Sequence, residues 1–459
     1  MTLSQYIEEI KDKKIAVVGI GISNTPLIKL LAGKGCRVTA CDRRNREALG
    51  TAAEELESLG AELKLGDGYL DGLDADVIFR TPGMRPDLPQ IAEAVSRGAV
   101  LTSEMEAFFD VCPCEIIAVT GSDGKTTTTT LISELLKAQG FTVHLGGNIG
   151  TPLLCRADEM SPDDFAVVEL SSYQLLTRKK SPRIAVVTNV APTHLDIHRD
   201  MDEYVDAKRN VFRNQGPDGL AVFNLDNDIT RGFADEAGGK VAFFSRREPV
   251  GNGVYCKDGV IYDVRDGRAE PVLETGGIKI PGVHNIENYM AAYAAVRDIV
   301  TAETLRSVAG SFGGVEHRIE LVRELKGVRY YNDSIASSPS RTTAGLRSFT
   351  QKVILIAGGK DKGVPFDSLG PEIIEHVKKL VLTGLTADKI RSAVENAPGY
   401  SGEPEIFTVP DFRDAVIKAS KLAEEGDIVI LSPACTSFDR FRNFEERGNF
   451  FKEIVKGLE

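Results

Sequence analysis

Short runs of Val, Ile, Leu and Ala, each closed by Gly, Ser, Asp or Pro, alternate with helix-period segments along almost the whole chain. The runs include KKIAVVGIG, RVTACD, ADVIFRTPG, EIIAVTGSDG, FAVVELSS, RIAVVTNVAP, KVILIAGG, KLVLTG and DIVILSPA. They are apolar at consecutive positions rather than alternate ones. Such runs read as parallel strands buried on both faces, with the helices as crossovers. The fold class is therefore α/β. In such sheets ligands gather beyond the carboxyl ends of the strands, so the residues after each run are the place to look for chemistry.

A chain of 459 residues has room for about three domains. Strand–helix alternation restarts twice, which gives blocks at 1–103, 104–314 and 315–459. The stretch 240–280 is less regular and is expected to be antiparallel. Apolar residues make up 42% of the chain and supply a core, which excludes a disordered chain. No apolar run reaches the ~18 residues of a membrane span. The opening residues 1–14 mix acidic and basic side chains and do not read as a secretory signal. A net charge of −12 argues against nucleic acid or an anionic membrane as partner. Seven cysteines, an odd number without a CxxC pair, make a disulfide framework improbable and a reducing cytoplasm the natural compartment. The Cys112-Pro-Cys114 spacing is wrong for a zinc knuckle. A monomer is expected.

The sharpest motif is Gly121-Ser122-Asp123-Gly124-Lys125-Thr126-Thr127, between an apolar strand and a helix. The two glycines let backbone N–H groups turn inward around phosphate oxygens. Lys125 adds a point charge, Thr126 offers a hydroxyl to Mg²⁺, and the helix N-terminus adds partial positive charge. The spacing is GxxGKT, a shortened relative of the Walker loop, with Val119 where the longer motif begins. Asp123 is unfavourable beside phosphates, so its carboxylate is expected to face solvent or capture a backbone N–H.

Other strand ends leave two readings open. Glu169, with Asn189, His194, Asp196 and His198 after the next strand, could converge on a cation or be a capped strand end with surface histidines. By composition Lys208 is a solvated helix residue. Asn285 and Asn288 could be N-cap residues. Gly19, Gly21 and Asp42 have the spacing of a dinucleotide turn, but Asn24 stands at its third glycine.

From the phosphate loop to the C-terminus the sequence resembles the Mur ligases, ATP-dependent amide ligases of peptidoglycan synthesis. That family implies three domains: a Rossmann-like N-terminal domain for a UDP-sugar, a central P-loop-type domain with a mostly parallel sheet, and a Rossmann-like C-terminal domain for the amino acid. It implies that Glu169, His194 and Thr126 hold Mg²⁺, although Thr193 replaces the Asp usual before that His. The Lys of its Y-x-x-A-K segment, matched by Lys208, is carbamylated by CO₂ and helps hold a second Mg²⁺. At an ordinary lysine pKa only roughly one amine in a few thousand is neutral at pH 7, so burial or cations must favour that carbamate. Asn288 matches an adenine contact, Arg318 an arginine on the ATP phosphates after a glycine hinge, and Asp333 a ribose ligand.

The segments SPACTSFD and FRNFEERG resemble those of the D-glutamate-adding branch. There Ser337, Lys362, Ser437 and Phe444 match the D-glutamate pocket. Ile335 stands where a lysine is common, with Arg341 as a candidate substitute. Near the N-terminus Ser23, Asn24, Asp42 and Arg43 match uridine and phosphate positions, and Thr81 to Gly83 and Asn148 match contacts to the muramoyl chain. The implied reaction joins D-glutamate to UDP-N-acetylmuramoyl-L-alanine. The acceptor carboxylate takes the γ-phosphate of ATP, releasing ADP; the amine attacks the acyl phosphate through a tetrahedral intermediate; and phosphate leaves. Lys125, Arg318, His194 and Lys208, with two Mg²⁺, carry the catalytic roles. The alternatives are a sibling ligase or folyl-polyglutamate type enzyme, an NAD-dependent dehydrogenase using the first block, and a non-enzymatic scaffold.

Overall fold

The computed structural model describes residues 1–192 and 198–459. Three sheets carry the chain. In the first, all five strands are parallel, in the order Glu62–Leu65, Arg37–Asp42, Lys14–Val18, Val77–Arg80, Val100–Thr102. Order reverses between Lys14–Val18 and Val77–Arg80, and both strands end there in glycine-bearing turns, at Gly19 and Gly83. Such a switch point is where a doubly wound sheet opens a ligand crevice.

The second sheet has nine strands. From one edge they run Val143–Gly147, Phe165–Glu169, Glu115–Thr120, Ile184–Val187, Leu220–Asn224, Lys240–Ser245 and Gly253–Lys257, all parallel. The antiparallel strands Val260–Arg265 and Arg268–Glu274 complete it. The antiparallel expectation for 240–280 thus fails for Lys240–Ser245, which has a parallel neighbour on each side. Two turns, Asp258-Gly259 and Asp266-Gly267, close the last two hairpins with all four residues at positive φ, the chemistry of tight hairpin turns. The third sheet orders Glu320–Leu325, Val328–Asn332, Ile428–Leu431, Val353–Ala357, Val377–Leu382 and Glu405–Thr408. Only its first pair is antiparallel.

Consecutive apolar residues divide between the two faces. Ile15 and Val17 pack in one core with Leu27, Ile28 and Leu31, while Ala16 and Val18 pack in another with Ile78, Ile91 and Ala94. Leu355 and Ile430 lie in one core of the third sheet, Ile354, Ile356 and Val429 in the other. Period two along a strand makes a continuous apolar run necessary where both faces are covered. The molecule forms two compact units, Met1–Thr275 with Glu287–Val308, and Gly276–Ile286 with Ala309–Glu459. Among the described residues no helix is long and apolar enough to cross a membrane.

One glycine fixes a strand end that matters below. Gly147 pairs with Glu169 at φ +98°, and a Cβ there would collide with the Glu169 carbonyl oxygen. Gly147→Ala is expected to cost about 2 kcal/mol in urea unfolding, from the positive φ and the overlap together.

Candidate active site

The phosphate-type loop follows Glu115–Thr120, the strand between Phe165–Glu169 and Ile184–Val187, and ends at the N-terminus of the helix Lys125–Ala138. Gly121 sits at φ +151° and Gly124, its N-cap, at φ +78°. A side chain at Gly121 would strike the Thr188 hydroxyl, and one at Gly124 the Asn288 side-chain oxygen. The neighbouring strand end braces the loop. Thr188 Oγ1 donates to the Asp123 carbonyl at 2.6 Å, and the Asp123 amide donates to Asn189 Oδ1 at 2.9 Å. Asp123 is exposed, as charge repulsion requires. Lys125 folds back over the loop and donates to the carbonyls of Gly121 (3.0 Å) and Ser122 (2.9 Å). Within the threonine run, Thr129 and Thr130 satisfy their hydroxyls on carbonyls one turn back, at 2.8 Å each. Thr127 is buried, and Thr128 Oγ1 donates to Asn288 Oδ1 at 3.2 Å.

Glu169 is 1% exposed and shared. Thr126 Oγ1 donates to one carboxylate oxygen at 2.7 Å and Asn148 Nδ2 to the other at 2.8 Å. Lys208, expected from composition to be solvated, is also 1% exposed. Its Nζ donates to the Gly121 carbonyl at 2.8 Å and lies 4.5 Å from the Tyr204 ring centroid. Burial, and behind it the charge of Lys125, hold this amine well below the ordinary lysine range. Tyr204 is one turn earlier on the helix Met201–Arg209, and its hydroxyl is 2.8 Å from Ser122 Oγ. His194 lies outside the described residues, as does Asp196. His198 is no surface residue: it is buried, with Nε2 2.9 Å from Ser172 Oγ.

In the first sheet Asp42 accepts the Ile20 amide at 2.7 Å and the amide and side chain of Arg44. Arg44, which sequence reasoning passed over for its neighbour Arg43, makes the ion pair at 2.9 Å. Arg44 and the two backbone hydrogen bonds outweigh burial and hold the Asp42 carboxyl below its ordinary value. Asn24 is buried, and its amide nitrogen donates to the carbonyls of Val18 and Gly19 at 3.1 and 3.0 Å. It therefore closes the turn internally, while Ser23 before it is half-buried. Gly83 lies with Arg80, Arg85 and Tyr173 around a small cavity.

In the second unit Asp333 directly follows the strand Val328–Asn332 and accepts Ser432 Oγ at 2.7 Å. Burial pushes its pKa up to about 7, with Ser432 and then Arg318 opposing. Arg318 is flanked by two residues in the left-handed region, His317 (φ 64°) and Ile319 (φ 46°). The latter is strained for a β-branched residue. Lys362 Nζ is 3.2 Å from Ser337 Oγ, so two expected pocket residues meet. Ser437 is buried; Phe444 is half-buried, edge-on to His317 at 5.9 Å. Arg341 donates to the Ile335 carbonyl at 3.3 Å. Arg447, buried, was missed. It donates to Ser334 Oγ, the Ser334 carbonyl and the Cys435 carbonyl at 3.0, 2.8 and 3.2 Å, tying two strand-end loops together. Its place in the E-x-R-G segment was the available signal.

Residues 119–296 match the family model of the Mur ligase middle domain, and residues 317–435 that of the Mur ligase, glutamate ligase domain. Two relatives, each a UDP-N-acetylmuramoylalanine–D-glutamate ligase, come from Ruminiclostridium cellulolyticum and Acetivibrio thermocellus. They are 53% and 54% identical, over 99% and 100% of this chain and 99% of each relative. The chain belongs to the Mur ligase family. Solved structures with the same fold include a UDP-N-acetylmuramate-alanine ligase from Thermotoga maritima, with TM-score 0.59, 18% identity and coverage of 97% of this chain and 100% of that one. A pseudomurein peptide ligase type C from Methanothermus fervidus has TM-score 0.53 and 19% identity, with 98% and 100% covered. The fold is thus the three-domain α/β architecture of the Mur ligases.

In this Mur ligase Asp333 has a consequence for stability. Its carboxyl is neutral when folded up to about pH 7 but ionises from 3.8 upward when unfolded. The stability it contributes is full below the lower value and is lost as pH rises through the upper one. Urea midpoints of wild type and Asp333→Asn, measured across that window, are expected to shift steadily in favour of the variant with rising pH.

Proposed function

We propose that this chain joins D-glutamate to UDP-N-acetylmuramoyl-L-alanine at the expense of ATP, releasing ADP and phosphate, in peptidoglycan precursor synthesis. The observation that carries the reading is the meeting of Lys125 and Lys208 on one carbonyl, that of Gly121, inside a glycine loop at a helix N-terminus. The names of the relatives at 53% and 54% identity support the substrate pair. Blocks 1–103, 104–314 and 315–459 then bind the UDP-sugar, the nucleotide and the amino acid. The enzyme works as a monomer in the cytoplasm on soluble substrates.

Two anions, a carboxylate and a triphosphate, must be brought together. Lys125, and Arg318 when it reaches the phosphates, offset that repulsion, and the loop amides orient the γ-phosphate. Asn288 faces adenine and Asp333 the ribose. Ser23, Asp42, Arg43, Gly83 and Asn148 hold the acceptor, and Asn24 closes the turn after Gly19 from within. Ser337, Lys362, Ser437 and Phe444 hold D-glutamate. The oxygen donors of Thr126 and Glu169, already in contact, suit a hard cation, so the residues present fit Mg²⁺. They would hold one ion, and a carbamylated Lys208 with His194 a second. When bound, Mg²⁺ supplies charge neutralisation at the triphosphate. Lys208 is suited to its modification: a desolvated neutral amine can attack the carbon of CO₂, losing one proton to form the carbamate.

A coupled assay is expected to detect ADP only when ATP, UDP-N-acetylmuramoyl-L-alanine and D-glutamate are all present, and Lys125→Ala to lower kcat at least a hundredfold. AMP release, or equal use of L-glutamate, would refute the assignment. Native mass measurement under bicarbonate is expected to add one CO₂ to wild type and none to Lys208→Ala, which is inactive. An unmodified wild-type amine, or full activity in the variant, would remove the carbamate.

A further inference from the structure

The turn that carries Gly83 is gripped by two arginines whose reach extends beyond the first sheet. Arg80, the last residue of the strand Val77–Arg80, is 1% exposed. Its Nη1 donates to the carbonyls of Pro82 (3.2 Å) and Met84 (3.0 Å), on the turn itself. Its Nη2 donates to the Tyr173 carbonyl and to Thr177 Oγ1, both at 2.9 Å, beyond the second sheet's strand Phe165–Glu169. Thr177 in turn donates to Glu106 at 3.0 Å. Arg85 closes the other side of the turn. Its guanidinium holds Asp87 at 2.8 and 2.7 Å, and makes a two-pronged pair with Glu203 at 2.9 and 3.0 Å. Glu203 lies on Met201–Arg209, the helix that bears Lys208. Between the two anchor points sits the His198 ring, stacked on Tyr173 at 5.3 Å and edge-on to Tyr204 at 5.2 Å.

A buried guanidinium is expensive to desolvate, and a hydrophobic side chain of similar size would fill the Arg80 site at lower cost. What the arginine adds is geometry: planar, multi-donor hydrogen bonding that fixes two backbone segments at once. We propose that Arg80 and Arg85 are positioning residues that set the Thr81–Met84 turn, and so the acceptor carboxylate, in register with the helices beside Glu169 and Lys208. The inference rests on the acceptor role given to Gly83 above. It adds a positioning clamp on the acceptor side of the site.

The test is steady-state kinetics with a double-mutant cycle on Arg85 and Glu203, which are partly exposed and so tolerate change better than Arg80. Arg85→Gln and Glu203→Gln are each expected to raise KM for UDP-N-acetylmuramoyl-L-alanine about tenfold and to leave KM for ATP within about twofold, with the double variant no worse than either single one. Arg85→Lys recovers only part of the loss. Asp87→Asn, whose side chain holds Arg85 without reaching the second sheet, stays within about twofold of wild type in both constants. Hydrogen exchange at the Met84 amide, which donates to the Thr81 carbonyl at 3.1 Å, quickens in Arg85→Gln, a reading independent of turnover. A folded Arg85→Gln with wild-type acceptor KM and unchanged exchange overturns the clamp, as do equal rises in both KM values or additive losses. Should Arg85→Gln fail to fold, Glu203→Gln decides by the same readings. An inactive wild type would instead refute the ligase assignment, and exchange alone would then judge the clamp.

Discussion

One carbonyl oxygen, that of Gly121, accepts from two lysines, Lys125 at 3.0 Å and Lys208 at 2.8 Å. Much of the nucleotide half of the molecule is arranged to make that contact possible. The loop must turn at positive φ, which only glycine does without strain. Thr188 must lie directly beneath it, leaving no space for a side chain. The helix Met201–Arg209 must approach closely enough to bury a long amine against main chain, and Tyr204 seals the approach. Two cationic groups converging on one acceptor repel each other in water-poor surroundings, and one of them gives up its proton readily.

Glu169 plays the corresponding part on the anionic side. Its two oxygens are divided between Thr126, on the nucleotide loop, and Asn148, which follows the edge strand Val143–Gly147. The Asn148 amide also donates to the Glu169 carbonyl at 2.8 Å, so the strand ends are locked by main chain as well as side chain. A carboxylate held from both sides is pre-oriented, and pre-orientation is what a charge-stabilising site requires.

The strand runs were legible because a buried parallel strand must be apolar on both faces, and every run proved to be one. The phosphate loop was legible because its function demands glycines and a cation at fixed spacing. Lys208 was not legible from the residues alone. Its helix reads as polar, and its burial follows from long-range packing against Gly121 and Tyr204. Arg44 was missed although it stands two residues after Asp42, the spacing that shares one face at a strand end, whereas Arg43 leaves on the other side. Arg80 gave no signal at all: a single basic residue at a strand end has no period or spacing to mark it. Ile335 remains a departure from the family pattern, with the Arg341 guanidinium beside its carbonyl.

The absence of a Cβ at Gly124 has a further outcome. The space is taken by Asn288, whose side-chain oxygen also accepts the Thr128 hydroxyl. Positions far apart in the gene are thereby welded into one unit of inheritance: enlarging the first drives the side chain of the second out of its place beside the helix Lys125–Ala138.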